Sequence, residues 1–535
     1  TQSNTIDSSI KIQNGDYSSP LTAYGNTNVR ALAIGGDINF AGDVELQTLY
    51  GLALLDADNG NLTVRGNATL YANAYGDNTG GAASVTATSA GTVSVEGDLN
   101  LNAQGYGFNG LTATGGPIGL SADGGTISVT GAIVADATAN GGGPGDSLTS
   151  PSAIGGNVAI EAINGGNISA GSLAIDNSAT GAYAFGQSVA GNGTGGNVQV
   201  KAESGSAIVI GGPVDVASNG FGGASFDDVS QPGTGTGGNV LFLADGGSID
   251  LGDATINADG TGGSFVYGTS TDMSGGDATG GTVRFEIEDA ASAIHVAGVL
   301  EASADAFAGD GFNGGLATGG KVGIEAFGGS MSVDGSTNPE VLAIDFSANA
   351  DGGDAIGIGG NGGNAQGGLA YVQAEAINAA TSTISAGDVG LGTNGNIALH
   401  ADADGGLGGD GDGVTAAGAG GSAQGGYFNG QLGSGGVTLL ADANGGRLSL
   451  GSVELSAVGT GGQGGNGGID PLTGLGQQGG SGGSGSGGSV QAGEYTAGHG
   501  INSLGQVTIG DLSMDVSAWG GDGGFGSAGS AQGDG

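Results

Sequence analysis

Chemistry at a protein site needs acids, bases or nucleophiles held together, and here the supply of them is lopsided. The chain carries 51 acidic residues against 7 basic ones, 3 histidines and no cysteine, for a formal charge of −44. A lyase or hydrolase acting on polysaccharide would need clustered acids with a Lys or Arg beside them, or two carboxylates at a fixed separation. Lys11, Arg30, Arg65, Lys201, Arg284, Lys321 and Arg447 lie far apart instead. They fall at outward positions of alternating runs, as Lys201 does after Val198 and Val200, and Arg284 between Val283 and Phe285. His295, His400 and His499 are equally scattered, which leaves an imidazole metal site without a second ligand. Thiol and disulfide chemistry is absent with cysteine. A surface this acidic repels nucleic acid and attracts cations.

One segment approaches a cation-binding pattern. Gly408-Gly409-Asp410-Gly411-Asp412-Gly413-Val414 follows the GGxGxDxUx nonapeptide of calcium-binding β-rolls, with Gly413 where the pattern has Asp. Asp410 and Asp412 are therefore the calcium candidates, and calcium is the only ion or cofactor that the sequence suggests. Most other Asp residues sit beside Gly or Asn, as in Asp56-Ala57-Asp58-Asn59-Gly60, where turn formation and solubility explain them. Bridging of carboxylates between chains by calcium is the associated expectation. Gly-rich strings that mimic phosphate loops lack the strand, long helix and lysine of such loops. Aromatic residues are more telling. Tyr183, Phe185, Phe221, Phe226, Phe265, Tyr267, Phe307, Phe312, Tyr427, Phe428, Trp519 and Phe525 lie in or next to glycine-rich segments. They either pack those segments onto the rest of the fold or offer a contact surface for sugar or another chain. The contact candidates are Tyr183, Phe185, Phe221, Phe265, Tyr267, Tyr427, Phe428 and Trp519.

The elements that must position these residues are short strands. From Gly155 to Gly181 the sequence reads GGNVAIEAINGGNISAGSLAIDNSATG, in which Val158, Ile160 and Ala162, then Ile168 and Ala170, then Leu173 and Ile175 occupy alternate positions. Period two means strand with one buried face. Gly165–Gly166 and the corner at Gly171 are read as positive-φ turns between strands. Three strands and three corners close a coil that cannot bury its apolar face alone, so successive coils must stack in parallel. The expected fold is all-β: a right-handed parallel β-helix of about 13 rungs. Residues 1–28 form an irregular first rung or cap, 29–519 the helix with its lateral inserts, and 520–535 a Gly-rich tail.

Rungs starting at Val29 and Leu52 give a bare repeat of about 23 residues, which puts an earlier start near Ile6. Later rungs start near Val85, Ile118, Val158, Val198, Val240, Val283, Val322, Ala370, Val437 and Val490. The growing interval is taken up by Gly-rich inserts that all leave from one corner after the third strand. Because coils are spaced ~4.8 Å apart, inserts from one corner must build a second layer. Near-threefold glycine, as in Gly461-Gly462-Gln463-Gly464-Gly465-Asn466, suits extended polyglycine strands of polyproline II type, with flexible Gly/Ser loops as the alternative. The 129 glycines follow no strict G-X-Y register, and 8 prolines are too few for collagen. No apolar run of about 18 residues is present to span a bilayer. Thr1 opens no signal-peptide pattern, which reads as a processed chain or a fragment. A further β-rung is expected directly beyond Val516, because strand edges template more pairing.

The pattern GG-N-V-x-I-x-A, GG-x-I-x-x-G, x-L-x-I-x-A, at Gly155–Ala179, Gly195–Ala217 and Gly237–Ala258, resembles the filamentous-haemagglutinin-like exoproteins and autotransporter adhesins of Gram-negative bacteria. The resemblance covers roughly Val29 to Trp519. It implies an extracellular, cell-surface protein with a β-helical shaft that serves adhesion, biofilm or self-assembly into filaments. The implied partners are copies of the chain itself and cell-surface or glycan ligands. A glycan-binding module is the alternative function, and a polysaccharide-degrading enzyme is the less favoured one.

Overall fold

The computed structural model describes residues 10–18, 20–25, 27–49, 51–74, 79–107, 110–143, 150–186, 189–227, 230–266, 273–336, 338, 341–375, 383–386, 395–426, 436–442, 446–495 and 506–527. Every regular element among them is a strand. The protein is a parallel β-helix. Its first face is one sheet of 13 strands, from Ile10–Gln13 to Val490–Tyr495, each paired in parallel with its counterpart in the next coil. The second and third faces share a sheet of 22 strands. In Thr126–Asp136, Asn167–Asp176, Arg447–Ser456 and Gln506–Asp515 one strand bends around the corner between these two faces.

Alternation of side chains fixes the inside. In Asn157–Ile163 residues Val158, Ile160 and Ala162 are buried, while Glu161 between them is only partly covered. The register stacks like on like: Ile118, Val158, Val198, Val240, Val283, Val322, Ala370, Val437 and Val490 form one column down the first face. Ala83, and not Val85, precedes Ile118 in that column, and Leu120 faces Val85. At the other end Val29 pairs with Ala53, one residue beyond Leu52, and Ile10 pairs with Val29. Leu52 is thus the outward neighbour of a buried alanine, because a one-residue slip would turn the whole strand inside out. The first rung is complete, with strands Ile10–Gln13, Gly15–Tyr17 and Leu21–Gly25 on the three faces. The expected start near Ile6 lies outside the described residues. The core is dry and narrow, filled by Val, Ile, Leu and Ala, with Phe242 stacked on Phe285 at 4.9 Å between ring centres.

Turns between the first two faces use left-handed residues: Asn164 has φ 52° and Gly165 φ 77°. Gly166 and Gly171 do not, which corrects their reading as positive-φ turns. Glycine is needed at position 171 for another reason, since a Cβ there would meet the Thr130 carbonyl oxygen at 2.6 Å in the coil beneath.

Beyond the third strand, the chain leaves the coil, runs outward, turns and comes back before the next first-face strand. The outgoing arms stack as a parallel sheet of ten short strands, from Gly105–Tyr106 to Ala518–Trp519, and the returning arms as one of nine, from Ala113–Thr114 to Gly485–Ser486. Together they form a two-layered wing along the shaft. Residues 520–527 belong to it as well: Gly521 and Gly524 donate to the carbonyls of Gly483 and Gly480. The chain beyond Val516 thus enters the wing, and the third-face residues Leu512, Met514 and Val516 are 45 to 48% exposed.

Candidate functional site: the wing and its channel

Hydrogen bonds in the wing repeat every three residues. In the outgoing arm Gly405, Gly408 and Gly411 donate to Thr460, Gln463 and Asn466 of the next coil. Gly406 and Gly409 donate sideways, to Gly363 and Gly360 of the returning layer. A third N–H points back along the shaft, where a side chain meets it: Leu407 N–H donates to Asp354 Oδ1 at 2.8 Å, and Asp354 N–H to Asp310 Oδ1 at 2.9 Å. The same ladder runs Asn313, Asn361, Ala419 in the returning layer and Asp410, Asn466, Phe525 in the outgoing one. Threefold backbone bonding outward, with none inside the strand, is the behaviour of polyproline II chains. Two of three positions face neighbouring backbone: a Cβ on Gly405 would lie 2.1 Å from the Gly421 oxygen, and one on Gly406 1.9 Å from the Gly353 oxygen. Where glycine fills both of these positions only the third carries a side chain, which is the repeating Gly-Gly-x; in other coils the Gly408 column holds Ala184, Ser225, Phe265 and Ala355.

This lattice accounts for the calcium candidates. Asp410 Oδ1 accepts the Asn466 N–H at 2.6 Å, so it is a rung of the ladder. Asp412 Oδ1 accepts the N–H groups of Val414 and Thr415, which closes a tight turn and holds its carboxyl below the usual range. No group of three or more metal-ligating side chains gathers among the described residues.

Where the outgoing arm leaves the third face, the two surfaces meet at an angle along the shaft, and between Tyr106 and Asn257 this angle deepens into a channel. The floor of the angle is an Asp/Asn/Ser row. Asp259 takes the Ser303 hydroxyl and the Asp305 N–H, Asp305 takes the Ser347 hydroxyl and the Asn349 N–H, and Asp402 takes the Ser456 hydroxyl and the Val458 N–H. Burial pushes Asp305 up to about 6, against the pull of the Asn349 N–H and with help from neighbouring Asp259, and burial raises Asp259 too. Asp351, higher on the wall, is raised first by burial and then by Asp404, Asp354 and Asp310. The wall is the second residue of each outgoing strand, stacked in register as Tyr106, Asn140, Thr180, Phe221, Thr261, Phe307, Asp351, Asp404, Thr460 and Trp519. Between Tyr106 and Phe221 the channel encloses about 360 Å³, and the adjoining stretch against Asp136, Asp176, Asp215, Thr255 and Asn257 about 330 Å³.

The aromatic contact candidates among the described residues divide three ways. Phe221 and Trp519 lie on this wall, exposed. Tyr183 and Phe185 pack with Phe226 farther out on the wing, with ring centres 5.3 to 6.0 Å apart. Phe265 is 4% exposed, which corrects its reading as a contact residue: it is packing inside the wing. Tyr267, Tyr427 and Phe428 lie outside the described residues. Tyr106 and Phe307 are wall residues that spacing alone did not single out as contacts, because the intervals between wall positions change with each insert.

Of the basic residues, Lys11 and Arg30 come together as register partners on adjoining first-face strands, and His499 lies outside the described residues. Lys201 pairs with Glu203, and Arg284 with Glu286 at 2.9 Å. His295 stands between Asp250 and Asp334, at 3.5 and 3.1 Å. No helix among the described residues is long and apolar enough to cross a membrane. Compared with known proteins, the chain matches no family model, no curated protein and no solved structure.

Proposed function

We propose that the protein is a structural element of a bacterial cell surface, an extracellular adhesive fibre of the filamentous-haemagglutinin-like type. One observation carries this reading. Every coil from Gly105 onward presents the same outgoing wall position in register with the last, so the outer surface is periodic along the shaft in the way the core is. A periodic surface on a rigid rod binds extended or multivalent partners through many weak, aligned contacts, and avidity then exceeds the strength of any one of them. The formal charge of −44 keeps such rods apart until cations screen or bridge them. Enzymatic activity is not part of the proposal.

The test is electron microscopy of the native material together with adherence of beads coated with the purified chain. Rods or filaments on the cell surface, and beads retained on cells or matrix, are expected. A soluble monomer away from the surface and beads that do not adhere would overturn the reading.

A further inference from the structure

We propose that the channel between the third face and the wing binds a linear polysaccharide that carries no negative charge, laid along the shaft and stacked on the aromatic wall residues. Four of them, Tyr106, Phe221, Phe307 and Trp519, are 38, 37, 44 and 62% exposed. All four share one register column, so their side chains leave the same side of the sheet. They are three, two and four coils apart, or ~14, ~10 and ~19 Å at the strand spacing. A sugar ring in an extended β-linked chain advances by nearly that same spacing, so rings bound on successive coils would keep step with the wall.

The lattice does not require aromatic residues here. Thr180, Thr261 and Thr460 occupy the same column, while the rings that serve packing, such as Phe242 and Phe285, are fully buried. The C–H face of a pyranose stacks on an exposed ring, and its hydroxyls need planar polar partners at the edge. Asn219 Oδ1 accepts the Asp259 N–H at 2.7 Å and Asn140 Oδ1 the Gly142 N–H at 2.8 Å, which leaves both amide groups as donors, and Asp176, whose Oδ1 accepts the Ser178 N–H, offers its other oxygen as an acceptor beside Tyr106 and Phe221. Charge sets the class of sugar. Asp259, Asp305 and Asp402 below, with Asp351 and Asp404 on the wall, repel uronates and nucleic acids alike. A protein partner fits less well, because Thr, Asn and Asp interrupt the apolar area between rings.

The inference rests on the reading of the periodic surface as adhesive, but it is tested in solution. Titration calorimetry of the purified full chain would use a cello-oligosaccharide and a chito-oligosaccharide as uncharged probes and an oligogalacturonate as the anionic one. Binding of an uncharged probe that tightens with oligomer length, and none of the oligogalacturonate, is expected. The double variant Phe221→Thr and Phe307→Thr, which keeps residues the column already accepts, should lose about tenfold or more in affinity with its melting temperature unchanged. Tyr183→Ala, on the outer aromatic cluster, should bind as the parent does. No binding of either uncharged probe, or equal affinity in the double variant, would overturn the channel proposal while leaving the fibre reading intact. A free monomer that still binds the probe would do the reverse.

Discussion

Ile160 in the coil and Gly406 in the wing are both shut away from solvent, for opposite reasons. Around Ile160 the backbone makes one set of bonds, up and down the stack, and side chains fill the space between three such sheets. Around Gly406 there is no space for a side chain, and the backbone bonds in three directions about each strand. The coil gains from apolar area removed from water, about 1.5 to 3 kcal/mol for each Val, Ile or Leu. Inside the wing the buried apolar side chains are mostly alanines, clustered near its base. Its order comes from hydrogen bonds, each contributing about 1 kcal/mol net. The coil therefore acts as the template, since it sets the spacing at which the wing's strands meet.

The strongest way to break this comparison is to charge the coil. Ile160→Asp places an unpaired carboxylate in the dry core and should cost roughly 4 kcal/mol or more, opening coil and adjoining wing together. Hydrogen exchange reads both regions, and Glu161→Ala, on the outer side of the same strand, should stay within about 0.5 kcal/mol of the parent. Loss of coil protection with the wing intact would show that the wing stands alone.

Next in size is Gly406→Ala, whose Cβ would meet the Gly353 oxygen at 1.9 Å. A cost of about 1 to 3 kcal/mol is expected, confined to the wing, so that amides at Gly406, Gly409 and Gly421 lose protection while those of Val372 and Leu399 keep theirs. Asp354→Ala should cost about 1 to 2 kcal/mol by stranding the Leu407 N–H, and Asp354→Asn should restore it, because either oxygen accepts the bond.

The smallest effect is a pH dependence. Asp305 lies at about 6 in the fold against 3.8 for the free group, so the fold favours its protonated form. Its contribution is full below pH 3.8, falls as pH rises toward 6 and is gone above. Asp305→Asn should flatten that slope and raise stability at pH 7 by about 1 kcal/mol, after solvent screening of a partly exposed site. Asn349 already occupies the equivalent position one coil on. Unchanged denaturation profiles between pH 4 and 7 would show that the carboxyl is solvated like a surface acid.

Much of the coil was legible because burial imposes period two directly on the sequence. The inward aliphatics from Ile118 to Val490 mark their own strands, and the register agrees at each of them. The two misplaced starts differ in cause: Leu52 sits in the apolar run Leu52-Ala53-Leu54-Leu55, where either phase looks buried, whereas Val85 is in the right phase but follows Ala83, whose small side chain does not mark a strand start. Threefold glycine in Gly461–Asn466 signalled the wing's strand type. What it could not signal was the destination of the third N–H, because the accepting Asp or Asn belongs to another coil dozens of residues away. The aromatic wall was illegible for the same reason: Phe221 and Phe307 fall into one column with Tyr106 and Trp519 only once inserts of unequal length are folded out to the side. Phe265, in the same Gly-rich surroundings, is indistinguishable from them by sequence and turns inward.

The Gly-Gly-x lattice also bears on how such a chain can change over generations. A single inserted residue within a Gly-Gly-x run would move a side chain into a glycine position, where a Cβ meets neighbouring backbone as it would at Gly405 and Gly406. A whole triplet, added to both arms, instead continues Gly461-Gly462-Gln463-Gly464-Gly465-Asn466 by one more unit without disturbing the bonds already made. Triplet steps extend the lattice itself, whereas other length changes are accommodated outside it: the span from Thr180 to Thr194 and that from Phe221 to Thr236 in the next coil differ by one residue. Arm length becomes a heritable dial, free to drift or be selected while the shaft stays unaltered.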